Sequence, residues 1–237
     1  MINNDFQADF EFDTEAFSDF EIDFETHTDF ETRYIKPPRT KEIPEHRLKY
    51  KNAEQLAKKL VIEEGCRYFV IVDGSFIFGD LIEAFIVHNN ARIKKMTTST
   101  LSMSQNNVDS LKNLLVGGYI DELNLIVSDY FFSHERNNLI RYIYDELDLD
   151  NKFQLAVAST HCKMCIFETY GGKKIVMHGS ANLRSSSNIE QLVIEESKDL
   201  YDFNDEYQNR IINVYKTINK SLRRTKLWQA VAENTNT

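Results

Sequence analysis

His161-Cys162-Lys163, followed by Gly179-Ser180-Ala181-Asn182 and then by Asn188-Ile189-Glu190, is the stretch whose reading decides the fold. The residues before it, Phe153 to Ala158, form a short apolar run of strand type. Lys163 to Phe167 and Lys174 to Met177 read as two further strands joined by a turn at Gly171-Gly172. Alternate residues of a strand share a face. His161, Lys163 and Cys165 are therefore expected on one side, and Cys162, Met164 and Ile166 on the other. An imidazole and an ammonium side by side at a strand end suit an anionic phosphate, since the lysine supplies charge and the histidine attacks or transfers a proton. Gly179 permits close backbone approach. The Ser180 hydroxyl and the Asn182 amide are neutral donors fit to hold phosphoryl oxygens, and Glu190 is placed to fix the tautomer of an imidazole.

Outward from this segment, strand and helix patterns alternate. Asn52 to Glu64 carries Leu56, Leu60 and Val61 at helical spacing and stops at Gly65. Tyr68 to Val72 reads as a buried strand, Asp80 to His88 as a helix, and Met96 to Leu101 as a second strand. A helix opens at Ser104 and runs to Gly117-Gly118, followed by a strand from Glu122 to Val127. Ser133 is expected to cap a helix through Leu139, Ile143 and Leu147. Leu192 to Glu195 closes the sheet, and a long amphipathic helix is expected over Asp205 to Val231. Strands separated by helices of this length imply an α/β fold with a mixed central sheet flanked by helices.

The formal charge of −9 over 237 residues hides an asymmetry. Eleven of the 37 acids lie within residues 1–32, which contain no Lys or Arg; the remaining 26 face 28 basic residues. This acidic tail repeats Asp-Phe and holds seven phenylalanines, Phe6 to Phe30. It is expected to be disordered in isolation and to serve as an interaction tail for an unknown protein partner or for the cleft of the body. Residues 33–47 hold all three prolines and several basic residues and read as a linker, which leaves 48–237 as the domain. Three cysteines, Cys66, Cys162 and Cys165, do not make a disulfide framework, and the chain shows no secretory leader and no apolar run of membrane-spanning length. The expectation is a cytoplasmic protein that neither enters nor docks on a membrane.

The combination of His161, Lys163, Gly179, Ser180, Asn182 and Glu190 resembles the phospholipase D superfamily, whose pattern is His-x-Lys, an acid five residues after the Lys, Gly-Ser-x-Asn and a downstream Glu. The acid position falls on Glu168, where the family usually has Asp, and the spacing from Glu168 to Gly179 is longer than usual. Glu168 and Gly179 are thus supporting residues of the expected site. The resemblance implies a phospholipase D-like fold and a hydrolase that needs neither metal nor cofactor. One imidazole attacks phosphorus to give a phosphohistidine, a second protonates the leaving oxygen, and water releases the product. The family builds its site from two His-x-Lys copies, but none of His27, His46, His88, His134 and His178 has a Lys two residues on. A single copy implies a homodimer with facing half-sites. Single-motif members include nucleases, so the resemblance favours nucleic acid over lipid.

Blander readings stand beside these. A catalytically inactive copy that only binds phosphate or nucleic acid remains an alternative. Cys162-x-x-Cys165 suggests zinc, but cysteines on opposite strand faces spoil a chelate, and Cys162 is expected in the core. Gly74 and Gly79 are taken as turn residues rather than a phosphate loop. Lys216, Lys220, Arg223, Arg224 and Lys226 are either a solvated helix face or a contact to a nucleic acid backbone, as is the cluster from Arg33 to Lys51.

Overall fold

The computed structural model describes residues 52–61, 63–72, 76–184 and 188–217, together with the backbone of two short strands at 34–36 and 48–49. The acidic tail and most of the expected linker lie outside these residues. So do Lys220, Arg223, Arg224 and Lys226. Parts of the segment assigned to the linker do pair with the body: β1 (Tyr34–Lys36) runs antiparallel to β2 (Leu48–Lys49) and to β3 (Arg67–Val72).

Six more strands complete the sheet: β4 (Ile93–Thr100), β5 (Leu123–Ser128), β6 (Phe153–Ala158), β7 (Met164–Thr169), β8 (Lys174–Gly179) and β9 (Glu190–Glu196). Among the described residues the order is β2-β1-β3-β9-β8-β7-β4-β5-β6. β4, β5 and β6 are parallel, and every other pairing is antiparallel, so the sheet is mixed as expected. β5 is buried along its whole length, which matches its unbroken Leu-Asn-Leu-Ile-Val run and its place between two parallel neighbours. The β7–β8 hairpin turns at Gly171-Gly172, where Gly172 takes φ of 84°, a left-handed value suited to glycine.

Five helices supply the main core on one face: α1 (Ala53–Lys59), α2 (Phe78–His88), α3 (Gln105–Val116), α4 (Asp129–Glu135) and α5 (Leu139–Leu147). Phe85 of α2 stands over Phe167 of β7 with ring centroids 6.0 Å apart, both fully buried. Burial of one such ring contributes roughly 1.5–3 kcal/mol. The other face carries α6 (Lys198–Tyr215), with Tyr201 against Ile166 and Val176 and Ile212 against Ile126 and Ala156.

Three expectations need correction. The helix given to a Ser133 cap is two helices. Ser128 caps α4, its hydroxyl accepting from Phe131 N at 3.0 Å, and Ser133 lies inside α4. The last helix begins at Lys198, seven residues earlier than expected, because Ser197 accepts from Leu200 N. It ends at Tyr215, after which Lys216 bridges to Ala156 and Thr217 N donates to Leu155 O at 2.8 Å. An open strand edge at β6 thus outcompetes continued helix. Finally, α1 stops at Leu60 rather than at Glu64.

A candidate phosphate-binding site at one sheet edge

The C-terminal ends of β3, β4, β5, β6 and β8 and the N-terminal ends of β7 and β9 share one edge of the sheet. His161, Lys163, Gly179, Ser180, Asn182 and Glu190 all belong to that edge. The segment Ser159 to Lys163 has to travel from β6 to β7, which are separated in the sheet by β5 and β4. It does so across the strand ends, and hydroxyls of β4 hold it there. Ser99 Oγ donates to Cys162 O at 3.0 Å, and Thr98 Oγ1 to Met164 O at 3.1 Å. The Thr160 hydroxyl accepts from Cys162 N at 3.2 Å. These hydroxyls, from the run Thr97-Thr98-Ser99-Thr100, were missed by the sequence reading. Four buried hydroxyl side chains in succession were the available signal.

Lys163 Nζ lies 3.0 Å from His161 Nδ1 and 3.2 Å from His161 O. An ammonium has only donors, so Nδ1 accepts and the ring proton sits on Nε2. Gly179 N donates to Lys163 O at 3.2 Å, and Ser180 N to Gln191 O at 2.9 Å, which ties the Gly-Ser turn between β7 and β9. A Cβ at position 179 would overlap the Gln191 carbonyl oxygen and stand 2.9 Å from its carbon. Close backbone approach is therefore the reason for glycine here. The Ser180 hydroxyl accepts from Gln191 N at 3.0 Å and donates to the Glu190 carboxylate. Glu190, expected to orient an imidazole, is engaged with Ser180. Asn182 is half-buried, and its Oδ1 meets no partner among the described residues.

The turn is fixed again at Leu183. Its N–H donates to Thr100 Oγ1 at 3.2 Å, and its carbonyl accepts from Gly79 N at 3.0 Å. Gly79 is thus no turn residue but part of the first turn of α2. There a Cβ would meet Asn107 Nδ2 at 2.5 Å.

Glu168 is not brought to this edge. It stands at the opposite end of β7 and pairs with Lys94 at 2.8 Å. Lys216 is exposed beside β6, three strands from β7. Cys162 is exposed rather than in the core, because β7 begins at Met164 and Cys162 precedes it. Cys165 is the buried member of the pair, and burial pushes its thiol well above the usual range. Beneath the loop, burial and the neighbouring Cys162 raise the Tyr207 phenol to about 12; its hydroxyl points at Met164 Sδ, 3.5 Å away. His178, one residue before Gly179, is held below the ordinary imidazole value mainly by desolvation.

No family model and no curated protein matches the sequence. Solved structures do match, each over part of the chain. One is Nuc from Salmonella typhimurium, a phospholipase D family member, at 16% identity and a TM-score of 0.42 over 54% of this chain and 84% of that one. NucT from Helicobacter pylori matches at 12% identity and a TM-score of 0.46 over 62% and 95%. Phosphatidylserine synthase from Haemophilus influenzae matches at 11% and 0.45 over 81% and 49%.

Proposed function

We infer that the chain is a phosphodiesterase acting on nucleic acid through a histidine nucleophile, in a site completed by a second copy of itself. The observation that carries this reading is the pairing of His161 and Lys163 on a loop latched to the Gly179-Ser180 turn, at the sheet edge that also carries Asn182. Such a set supplies a nucleophile in His161, a cation in Lys163 and a neutral donor in the Asn182 amide. The set has one carboxylate, Glu190, and suits an anion better than a hard cation, which prefers several oxygen ligands.

The chemistry follows from that set. A phosphate oxygen draws the Lys163 ammonium off Nδ1, so the ring can move its proton there and free the Nε2 lone pair. Nε2 then bonds to phosphorus while the bond to the leaving oxygen breaks. That oxygen takes a proton from the partner copy's imidazole. A water oxygen next bonds to phosphorus, the P–N bond breaks, and the water's proton passes to the same partner imidazole. The Asn182 amide N–H groups, and the Ser180 hydroxyl once it turns from Glu190, steady the phosphoryl oxygens. Arg184, exposed two residues beyond Asn182, adds a cation for the flanking backbone.

The reading of a binding module without turnover is favoured by one observation. Glu190 is committed to Ser180 and Lys163 to His161 Nδ1, so this arrangement does not hold the ring in the attacking tautomer. A nuclease assay with chelator, on a sample of known oligomeric state, separates the two. Turnover that vanishes in His161→Ala supports the enzyme. Binding that Lys163→Ala weakens, with no product at high protein concentration, supports the module.

A further inference from the structure

At the same sheet edge, α4 leaves the end of β5 and presents a stacked aromatic pair. The Tyr130 and His134 rings lie with centroids 3.9 Å apart at 33°. Tyr130 is 64% exposed, although its neighbours Phe131 and Phe132 are buried and anchor the helix. The pair is rigid. Ser133 Oγ donates to Tyr130 O at 2.9 Å, and His134 Nδ1 donates to the same carbonyl at 2.7 Å. The neighbouring Asp129 carboxylate folds back to accept from Tyr130 N at 2.8 Å.

The position matters more than the exposure. The loop carrying His161 crosses the ends of β5 and β4, and Tyr130 follows the last residue of β5 by two. Tyr130 and the loop that carries His161 therefore sit over neighbouring strand ends of the same sheet edge.

We propose that Tyr130, backed by His134, is a stacking platform for a base flanking the phosphodiester held by His161 and Lys163. This rests on the phosphodiesterase reading and narrows its substrate to single-stranded nucleic acid, because a base inside a duplex has no face free for the ring. Recognition by stacking is tolerant of sequence, so the platform selects strandedness rather than base identity.

The test compares two single-stranded oligonucleotides of equal length, one ordinary and one with abasic sites around the cleaved bond. Tyr130→Ala is expected to raise KM, or Kd where no product forms, roughly tenfold for the ordinary strand and to leave the abasic strand unchanged. Tyr130→Trp is expected to restore the difference. Equal weakening on both strands, or no change on either, overturns the platform while leaving the phosphodiesterase reading intact. A parent protein that neither binds nor cuts either strand overturns that reading, and the platform with it. Thermal unfolding of each variant checks that the exposed substitution leaves the fold in place.

Discussion

At one end of β7 stand His161 and Lys163; about 16 Å away, at the other end, stands Glu168. Both ends are rich in charge, but the charges are closed off differently. Around Glu168 each ion finds a partner within the fold. Lys94 pairs with Glu168 and lies 5.9 Å from the Tyr170 ring, the Tyr170 hydroxyl donates to Asp121, and Arg92 approaches Asp121 at 3.9 Å. At the other end the Lys163 ammonium meets an imidazole, which offers it no opposing charge. Ions that satisfy one another serve the fold, and a cation that meets no opposing charge among the described residues is open to an anionic ligand.

Substitutions test this contrast. His161→Ala should lower phosphodiester cleavage by about 10³-fold or more while the unfolding midpoint stays with the parent, measured by single-turnover kinetics and by thermal melting. Gly179→Ala should strike both properties at once, because the methyl must displace the Gln191 carbonyl. A loss of about 2–3 kcal/mol in denaturant unfolding is expected, with cleavage falling alongside. An unchanged melting curve would show that β9 yields easily and that the latch is loose.

His178 gives a subtler test, through pH. Its folded value is depressed, so the unfolded chain binds more protons than the native one just below the unfolded value of about 6.5. Stability should therefore fall as pH drops through that value, and His178→Gln should flatten the fall in melting scans between pH 7.5 and 5.5. The smallest effect is expected at the far end of β7. Glu168→Ala should cost about 0.2–1 kcal/mol and leave cleavage untouched. A large loss of activity there would erase the distinction between the two ends.

The site is largely legible in the sequence, because His161-x-Lys163 and Gly179-Ser180-x-Asn182 name both the groups and the strands that deliver them. The mixed sheet is legible too, since β5, β6, β7 and β8 are short apolar runs bounded by turn residues. What escapes depends on pairing that a linear pattern does not carry. Alternation counted from Lys163 places Cys162 inside, whereas the ladder with β4 starts at Met164 and leaves Cys162 exposed. Amphipathic spacing continues past Tyr215, yet the free edge of β6 captures the chain at Lys216. Glu168 fits a motif by distance along the chain, while the direction of β7 carries it away from the imidazole.

The route of the chain from β6 to β7 also sets when this protein becomes competent. The loop bearing His161 is anchored only after β6 has joined β5, β5 has joined β4, and β4 has accepted β7. Two of those unions are parallel and join segments distant in sequence, which are slow to form. Competence is therefore expected late in folding, and a chain with any of these strands undocked would hold the chemical groups of the candidate site without their geometry.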